Sequence, residues 1–412
     1  GAVYGTENCN IEFINCNFIN NYADKANGGV IYIDKKGNLK ITNCNFTDNE
    51  AYNGNGGVIY GNSESNIEIY NSIFTDNTAT NDGGVIYGVS GSNIKVYNSF
   101  FGASSAANGG AVYSDGNVTV DDSTFEDNAA TSNGGGVIGN NLAISNSEFI
   151  NNKATLGGAV YGISNLNVNN SNFTENSATN AGGAILWNNN ANIVGSNFIN
   201  NTANYGGAIQ GQNSPNSKGR VIKSTFTGNT ATNAGGAINI ENPVNLTVID
   251  SIFNDNSAPT GGAINGATGT IVGVSNSTFN RNTATSKGGA INGEYIVNID
   301  NSTFVNNTKD INMKNGNIKY TNFTSTSMPV ITTTGSVNFI ETKINGDYPS
   351  RNYIIGTFTS DKYGWYKVLN DLVNAAPIGS TLYLNNKTYV LNQTVTINKN
   401  IVIHGGNSSD DN

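Results

Sequence analysis

The sequence is poor in charge and in proline. Only 12% of its 412 residues are Asp, Glu, Lys or Arg, and only six are proline, whereas a typical soluble domain carries about 25% charged residues. Amides and hydroxyls must therefore cover much of the surface. The scarcity of basic residues and the net charge of −9 argue against nucleic acid as a partner, because phosphate binding needs clustered Lys and Arg. They argue more weakly against a polyanionic sugar.

Long apolar runs are missing too. No stretch approaches the length of about 18 apolar residues that a membrane helix requires, so this segment is not expected to span a membrane. The chain opens at Gly1 without an initiator Met or a signal peptide. Because its first residues match the middle of the repeat described below, we expect it to be an excerpt of a longer protein.

The three cysteines do not indicate a disulfide framework. Cys16 and Cys44 each precede a phenylalanine by two residues, where later repeats have serine. The simplest interpretation is a small buried side chain in a serine column. Stacked coils would hold the two Cα atoms about 4.8 Å apart, which a disulfide can also span. Cys9 has no partner in this register.

Glycine, in contrast, is abundant, with 50 residues, and much of it recurs in pairs at a fixed rhythm. Segments such as Gly235-Gly236-Ala237-Ile238 alternate with segments such as Phe226-x-x-Asn229. The period is about 26 residues, and a period of that size is typical of solenoids. The phenylalanines of the repeat are Phe18, Phe46, Phe74, Phe101, Phe125, Phe149, Phe173, Phe198, Phe226, Phe253, Phe279 and Phe304.

Within one repeat the apolar residues alternate with polar ones, as in Ile94-Lys95-Val96-Tyr97. Three short runs of this kind, separated by Gly and Asn, describe one turn of a solenoid. Stacked turns share a core that no single turn can form. We therefore predict an all-β fold, a right-handed parallel β-helix of about twelve coils, with shorter closing coils over residues 310–345. The right-handed sense follows from the general crossover preference.

Each position of a stacked coil forms a column, and the columns have distinct expected roles. Phenylalanine is predicted to stack on phenylalanine in the core. The asparagines three residues before and three residues after it are predicted at two tight corners, with amides bonded to the coils above and below. The glycine pair suits a third corner where a Cβ would clash. After Phe101, Gly102-Ala103-Ser104 replaces the x-x-Asn of the other repeats, so we expect an altered corner there.

The last hundred residues change character. Trp365, Val368, Leu369, Leu372, Val373 and Ala376 share one face of an amphipathic helix that Pro377 ends, and alternating strands follow. We predict a cap helix over 363–376 that covers the open end of another β-helix. The predicted domains are residues 1–350, the repeat β-helix; 351–362, a linker; and 363–412, the cap helix and first strands of a second, truncated β-helix.

The alternating Phe-x-x-Asn and Gly-Gly-Ala-Ile motifs of residues 1–308 resemble the repeats of the polymorphic membrane proteins of intracellular bacteria. They resemble even more closely the adhesin-like surface proteins of methanogenic archaea. The resemblance implies a right-handed β-helix that is extracellular, at the cell surface or in the cell wall, and that mediates attachment. The autotransporter barrel of such proteins is not part of this sequence, which leaves the anchoring route open.

The alternative function is a carbohydrate-active β-helix enzyme, either a polysaccharide lyase or a glycoside hydrolase. Such enzymes need converging carboxylates, and the candidates are Asp121-Asp122, Glu126-Asp127 and Glu148. Because they fall in or next to corner columns, we interpret them as structural. The column of Asp48, Asp76 and Asp127 is a solvated edge or a weak calcium site, and His404 has no acidic partner. We predict no catalytic residue, no metal ligand and no cofactor.

One column favours a binding role. The residue three positions after the second glycine is tyrosine in the early coils, and alternation with an inward Ile or Val places it outside. The side chains either stack only to stabilise the rod or also bind glycans or proteins on a neighbouring cell. We therefore predict a non-catalytic, adhesin-like scaffold. Its candidate ligand-binding residues are Tyr4, Tyr32, Tyr60, Tyr87 and Tyr113.

Overall fold

A computed structural model describes residues 1–212, 217–241, 244–347, 349, 352–360, 378–379, 381–384 and 395–405. These residues form a parallel β-solenoid without a helix among them, which confirms the all-β prediction. The solenoid has about 14 turns, since one of its sheets contributes one strand per turn and has 14 strands. The right-handed sense stays a prediction.

The phenylalanine sheet is named for the side chains that its strands point into the core. Successive rings lie 4.7–4.9 Å apart between centroids, with their planes within 9° from Phe18 to Phe304. The predicted phenylalanine column is therefore confirmed. Its strands are Asn17–Ile19, Asn45–Thr47, Ile73–Thr75, Phe100–Gly102, Thr124–Glu126, Glu148–Ile150, Asn172–Thr174, Asn197–Ile199, Thr225–Thr227, Ile252–Asn254, Thr278–Asn280, Thr303–Val305, Asn322–Thr324 and Lys343–Ile344.

The broad sheet supplies two strand segments per coil, which are separate in some coils and fused in others. Fusion occurs where the connection is short, as in Val137–Ser145, and the register then shifts at the bend. The first or fused strands are Val3–Gly5, Ile31–Ile33, Ile59–Gly61, Ile86–Gly88, Val112–Asp121, Val137–Ser145, Val160–Asn169, Ile185–Trp187, Ile209–Gly211, Ile238–Ile240, Ile264–Gly266, Ile291–Asp300, Ile311–Lys319, Ile331–Ile340 and Ile354–Ser360. The separate second strands are Asn10–Ile14, Asn38–Thr42, Asn66–Tyr70, Asn93–Tyr97, Asn190–Val194, Lys218–Ile222, Asn245–Ile249 and Ile271–Ser275.

The alanine sheet closes each full coil and holds one inward alanine per strand, such as Ala51 or Ala231. It stops at residue 287 within the described part of the chain, so the turns that follow are shorter, as predicted for the closing coils. Its strands are Tyr22–Asp24, Glu50–Tyr52, Thr78–Ala79, Ser105–Asn108, Ala129–Asn133, Lys153–Leu156, Ser177–Ala181, Thr202–Tyr205, Thr230–Ala234, Ser257–Thr260 and Thr283–Lys287.

The carboxy-terminal predictions are tested only in part. The helix predicted over 363–376 lies outside the described residues. Ile354–Ser360 pairs in parallel with Ile331–Ile340, so the broad sheet continues past residue 350. Thr381–Leu384 and Val402–Gly405 form a separate parallel pair. The domain boundary and the second β-helix stay predictions.

Two of the three predicted corners are confirmed, and one is displaced by a residue. The position three before the phenylalanine takes a left-handed backbone, with φ of 53° at Asn43 and 50° at Asp122. The other left-handed corner lies two residues after the phenylalanine, for example at Asp48 with φ of 53°. The asparagine after it, predicted at the corner, is instead buried. Inside the solenoid, its amide forms hydrogen bonds with backbone groups that the bend would leave unpaired.

The glycine pair forms the third corner. The first glycine has a positive φ, 66° at Gly235. A Cβ on the second would lie 2.0 Å from the carbonyl oxygen of its counterpart one coil on, as between Gly236 and Gly262. No side chain larger than hydrogen fits at that distance, so the pair is required by the stacking itself.

One core column contains a carboxyl group. Asp310 occupies a position filled by Ala290 in the coil before and Val330 in the coil after. Its Oδ1 accepts a hydrogen bond of 2.8 Å from Asn307 Nδ2, and its Oδ2 is buried without a hydrogen-bond partner in the described part of the chain. Burial raises the pKa of Asp310 to about 7, because a charge without water is costly.

Candidate functional site

The motifs that define the repeat lie inside the solenoid. Phe226 and Asn229 are fully buried. The Asn229 amide donates to the Phe198 carbonyl oxygen at 3.0 Å and to Asn256 Oδ1 at 2.9 Å, while its own Oδ1 accepts from Asn201 Nδ2 at 3.0 Å. These residues stabilise the coil and are not accessible to a ligand. A surface site must use other columns.

The altered coil at Phe101 keeps the path of the chain but interrupts this buried ladder. Ala103 takes the left-handed corner with φ of 49°. Ser104 fills the ladder position, where its backbone N–H donates to Asn128 Oδ1 at 3.1 Å and its hydroxyl donates to the Gly102 carbonyl oxygen at 3.1 Å. The altered corner was predicted, and its consequence is a missing amide link in one coil.

The thiols lie where the sequence places them, in the serine column. Cys44 is buried and Cys16 is partly buried, and both are free. Cys44 Sγ accepts from the Cys16 backbone N–H at 3.3 Å, as Ser72 Oγ accepts from the Cys44 backbone N–H at 3.0 Å. Cys44 therefore takes over the acceptor role of serine, while Cys16 Sγ donates to the Ile14 carbonyl oxygen at 3.3 Å.

The five candidate tyrosines lie in one column on the first strands of the broad sheet. The neighbours Ile31 and Ile59 are fully buried, so alternation directs the tyrosines outward, as predicted. Tyr4, on the first coil, is 64% exposed. The other four are partly buried, because the glycine turn lies against the base of the column. A Cβ on Gly109 would approach Tyr113 Cβ to 2.9 Å.

The tyrosine rings stack on one another along the rod. Consecutive centroids from Tyr4 to Tyr113 lie 5.2, 4.9, 5.3 and 5.3 Å apart, and the ring planes differ by at most 18°. Each inner ring therefore has both faces covered by its neighbours. The surface consists of ring edges and hydroxyl groups rather than ring faces, so a ligand would meet a narrow ridge with one phenol per coil.

Carboxylates hold the hydroxyl groups at both ends of this tyrosine stripe. Tyr4 Oη donates to Asp34 Oδ2 at 3.1 Å, and Tyr113 Oη donates to Asp115 Oδ1 at 3.0 Å. Between them, the hydroxyls of Tyr60 and Tyr87 have no hydrogen-bond partner among residues 1–212 and the rest of the described chain. These two phenols are free to bond a ligand.

The stripe is uncharged at neutral pH. Burial raises the pKa of the Tyr60 phenol and raises that of Tyr87 to about 12. Burial and the hydrogen bond to Asp115 raise the pKa of Tyr113 further. Hydrogen bonds from the Lys35 backbone and the Asn62 side chain lower the pKa of Asp34. The phenols therefore keep their protons and can donate, while Asp34 is ionised and accepts.

The same column changes chemistry further along the rod. After Tyr161 and the buried Leu186, it becomes a largely buried amide ladder. From Asn239 onward each amide nitrogen donates to the amide oxygen of the preceding coil, at distances of 2.6–2.8 Å, whereas Gln210 Nε2 donates to the Gly211 carbonyl oxygen at 3.1 Å. The members of this ladder are Gln210, Asn239, Asn265, Asn292 and Asn312.

Two of the carboxylates weighed as catalytic candidates, Asp121 and Asp127, hydrogen-bond to neighbouring coils. Asp121 Oδ1 accepts from Ser145 Oγ at 2.6 Å and from Asn146 Nδ2 at 2.9 Å. Asp127 is a left-handed corner residue whose carboxylate accepts from Asn151. His404 lies in strand Val402–Gly405, and its side chain is outside the described atoms.

The described residues contain neither a metal-binding cluster nor a membrane-spanning helix. No group of three or more His, Cys, Asp and Glu side chains with the geometry of a metal site occurs among them. None of their secondary-structure elements is a helix of the length and hydropathy needed to cross a bilayer.

Sequence reasoning missed a second outward-facing column. This outer asparagine column lies at the start of the second strand segment in the first eight coils. Counting back eight residues from each phenylalanine reveals it. Seven of its members are exposed and Asn93 is partly buried. The register places one member in each of eight successive coils. They are Asn10, Asn38, Asn66, Asn93, Asn117, Asn141, Asn165 and Asn190.

Three segments of the chain, residues 71–89, 223–241 and 276–294, match the family model of the Chlamydia polymorphic membrane protein repeat. No curated protein is similar enough to count as a match. A solved structure, that of the PL6 family alginate lyase AlyGC, aligns over 97% of this chain and 95% of that chain, with 10% identity and a TM-score of 0.22. The likeness to archaeal adhesin-like proteins stays a prediction. The chain is a parallel β-solenoid that carries repeats of the polymorphic membrane protein type.

Proposed function

We propose that this protein is a non-catalytic, adhesin-like scaffold at the cell surface, with the solenoid acting as a rod that attaches to glycans or proteins of a neighbouring cell. The match of three segments to a membrane protein repeat supports the surface location and the adhesin-like role. The proposed location is extracellular, at the cell surface or in the cell wall. No cofactor enters the proposal.

The tyrosine stripe is the observation that carries the attachment role. It presents four steps of about 5 Å along a rigid rod, and it is uncharged. Tyrosine provides a large amphipathic contact at low entropic cost, which makes it frequent in binding surfaces. The free phenols of Tyr60 and Tyr87 lie at the centre of the stripe, where contacts contribute most to binding.

The test is attachment by a double variant. We expect Tyr60→Ser/Tyr87→Ser to reduce binding of protein-coated beads to cells or to a panel of immobilised neutral glycans by about tenfold or more. The matched control is Tyr70→Ser/Tyr97→Ser, which removes another stacked pair, 5.1 Å apart, from the second strands of the same coils. The control should retain attachment.

Three results would contradict the proposal. Equal attachment by both double variants would show that the stripe is purely structural, and early unfolding of Tyr60→Ser/Tyr87→Ser with unaltered attachment would show the same. Release of reducing ends from a panel of polysaccharides by the purified protein would show an enzyme instead of a scaffold. A parallel thermal unfolding curve separates loss of binding from loss of structure.

A further inference from the structure

The outer asparagine column recurs in eight successive coils, although the backbone conformation at its positions does not require asparagine. None of its eight members has a left-handed backbone, so they differ from the corner asparagines. They are exposed or partly buried, so they differ from the buried ladder as well. A solvated amide ladder adds little stability, because its hydrogen bonds replace bonds to water.

Side-chain hydrogen bonds nevertheless link four of the seven pairs of neighbouring members. Asn38 Nδ2 donates to Asn10 Oδ1 at 2.8 Å, and Asn66 Nδ2 donates to Asn38 Oδ1 at 2.9 Å. The same bond links Asn165 Nδ2 to Asn141 Oδ1 at 2.9 Å. Each bond uses one N–H of a side-chain amide and one lone pair, so one N–H and one lone pair remain for a ligand. The amides are oriented before any ligand arrives, which lowers the entropic cost of binding.

Grooves lie over both ends of the column. One encloses about 640 Å³ above Asn10, Asn38 and Asn66. The other encloses about 540 Å³ above Asn165 and Asn190. Both grooves are open to solvent, so a ligand would lie across the surface rather than in an enclosed cavity.

The charges beside the first groove cancel. Lys40 Nζ lies 2.9 Å from Glu12 Oε1, and Lys95 Nζ lies 3.0 Å from Glu68 Oε1. The groove therefore has no excess charge for an ionic ligand. The second groove has Lys218 and Arg220 at its far end, beyond the last asparagine of the column.

We propose that the outer asparagine column binds a linear, uncharged polysaccharide that lies along the rod, with about one sugar ring for each coil. Coils repeat every 4.7–4.9 Å in the phenylalanine stack, which is close to the length of one pyranose ring in an extended chain. An amide is both donor and acceptor and so matches a hydroxyl, which is also both. The inference deepens the proposed attachment function and rests on it, but it assigns the sugar to a different column from the tyrosine stripe.

The experiment is affinity electrophoresis of the intact chain in gels that contain soluble β-1,4-glucan, β-1,3-glucan, β-mannan or, as the charged arm, alginate. We expect at least one neutral polymer to retard the protein. The variant Asn141→Thr/Asn165→Thr should weaken that binding by about tenfold or more, since two consecutive steps of the array are lost.

The matched control is Asn172→Thr/Asn197→Thr. These two asparagines are exposed in neighbouring coils and share the same bond, Asn197 Nδ2 to Asn172 Oδ1 at 2.9 Å, but they lie on the phenylalanine sheet. The control should be retarded as strongly as the parent. Thermal unfolding of both variants confirms that the fold is intact.

Three outcomes would overturn the inference: retardation by none of the neutral polymers, retardation by alginate alone, or equal retardation of the two double variants. Cell attachment that persists in any of these cases would leave the proposed function standing. A fourth outcome would also refute the asparagine column. If Tyr60→Ser/Tyr87→Ser loses polysaccharide binding and Asn141→Thr/Asn165→Thr keeps it, the sugar site belongs to the tyrosine stripe.

Discussion

The same outward column has two chemistries in the two halves of the rod. In the first five coils it is a stack of tyrosine rings whose edges meet solvent. From Gln210 onward it is a largely buried ladder of amides. Beneath both halves the phenylalanine stack is unchanged. The core is thus uniform, and the outside differs from coil to coil, so differences in recognition along the rod must arise outside.

The difference also shows which constraints act on the side chains of this column in each half of the rod. Tyrosine requires space beside the glycine turn, and its hydroxyl must reach water or a carboxylate such as Asp34 or Asp115. The amides are short enough to be covered, and because they are covered they must be paired. Exposure leaves the tyrosine hydroxyls able to bond water, a carboxylate or a ligand, whereas burial requires the amides of the carboxy-terminal half to bond one another.

The largest expected effect tests whether the core is the same in both halves. Phe74→Ala and Phe226→Ala should each lower the free energy of unfolding by about 3–5 kcal/mol, because each removes one fully buried ring from the stack. Urea unfolding followed by circular dichroism measures both. A cost for one variant that is less than half of the other would show that the two halves do not share one core.

The second-largest expected effect is a pH dependence of stability that arises from Asp310, in the carboxy-terminal half. The folded pKa of Asp310 is raised to about 7, above its unfolded value of about 3.9. The folded state therefore holds the proton more tightly, and stability is lost as the pH rises from about 4 to about 7. Asp310→Asn should remove this slope and stabilise the protein at pH 8 by up to about 4 kcal/mol.

The control for Asp310 is Asp127→Asn, which changes a surface corner acid with φ of 55°. The slope assigned to Asp310 should persist in this variant, because the core carboxyl is unchanged. Unfolding midpoints between pH 4 and pH 8 provide the measurement, and a slope that survives in Asp310→Asn would place the titrating group elsewhere.

A smaller difference in stability is expected between substitutions in the amide ladder and substitutions in the tyrosine stripe of the same column. Asn239→Leu should cost about 1–3 kcal/mol, because it leaves Gln210 Oε1 without its donor and Asn265 Nδ2 without its acceptor in a buried ladder. Tyr4→Leu, in the same column, should cost about 1 kcal/mol or less, because this exposed end ring has one stacking partner. Equal costs in thermal unfolding would remove the distinction between the halves.

The smallest effect is on ionisation alone. Asp115→Asn should lower the pKa of Tyr113, because the carboxylate both accepts its hydroxyl proton and repels the tyrosinate. Alkaline titration followed by tyrosinate absorbance measures the change. Asp34→Asn should lower the pKa of Tyr4 in the same way, and an unchanged titration in both variants would show that the carboxylates do not hold the stripe.

Much of the fold follows from fixed spacing. Phenylalanine, asparagine and glycine recur at constant intervals because each must lie on its own copy, so their columns were predictable without a structure. The corner after the phenylalanine was displaced by one residue, since Asp48, Ala103 and Arg281 all occupy it and no single residue type marks it. A left-handed corner on the surface tolerates many side chains and so leaves a weak pattern.

The candidate site was predictable only in outline. Alternation places the tyrosines outside, but their partial burial depends on how closely the glycine turn approaches, which no spacing reveals. Likewise, Asp310 lies in a column of mainly Ala and Val residues, and only the register identifies the carboxyl as a core residue. The outer asparagine column has a fixed spacing of its own and could have been found by counting.

The connection between the two strands of the broad sheet has a consequence for engineering. It has four residues between Ile86–Gly88 and Asn93–Tyr97, and it disappears in the fused strand Val137–Ser145. The solenoid therefore already accommodates changes of length at this point without altering the pitch of the neighbouring sheet. Foreign peptides grafted into several such connections would be displayed in a row, at intervals set by the number of coils between them, as on a molecular ruler.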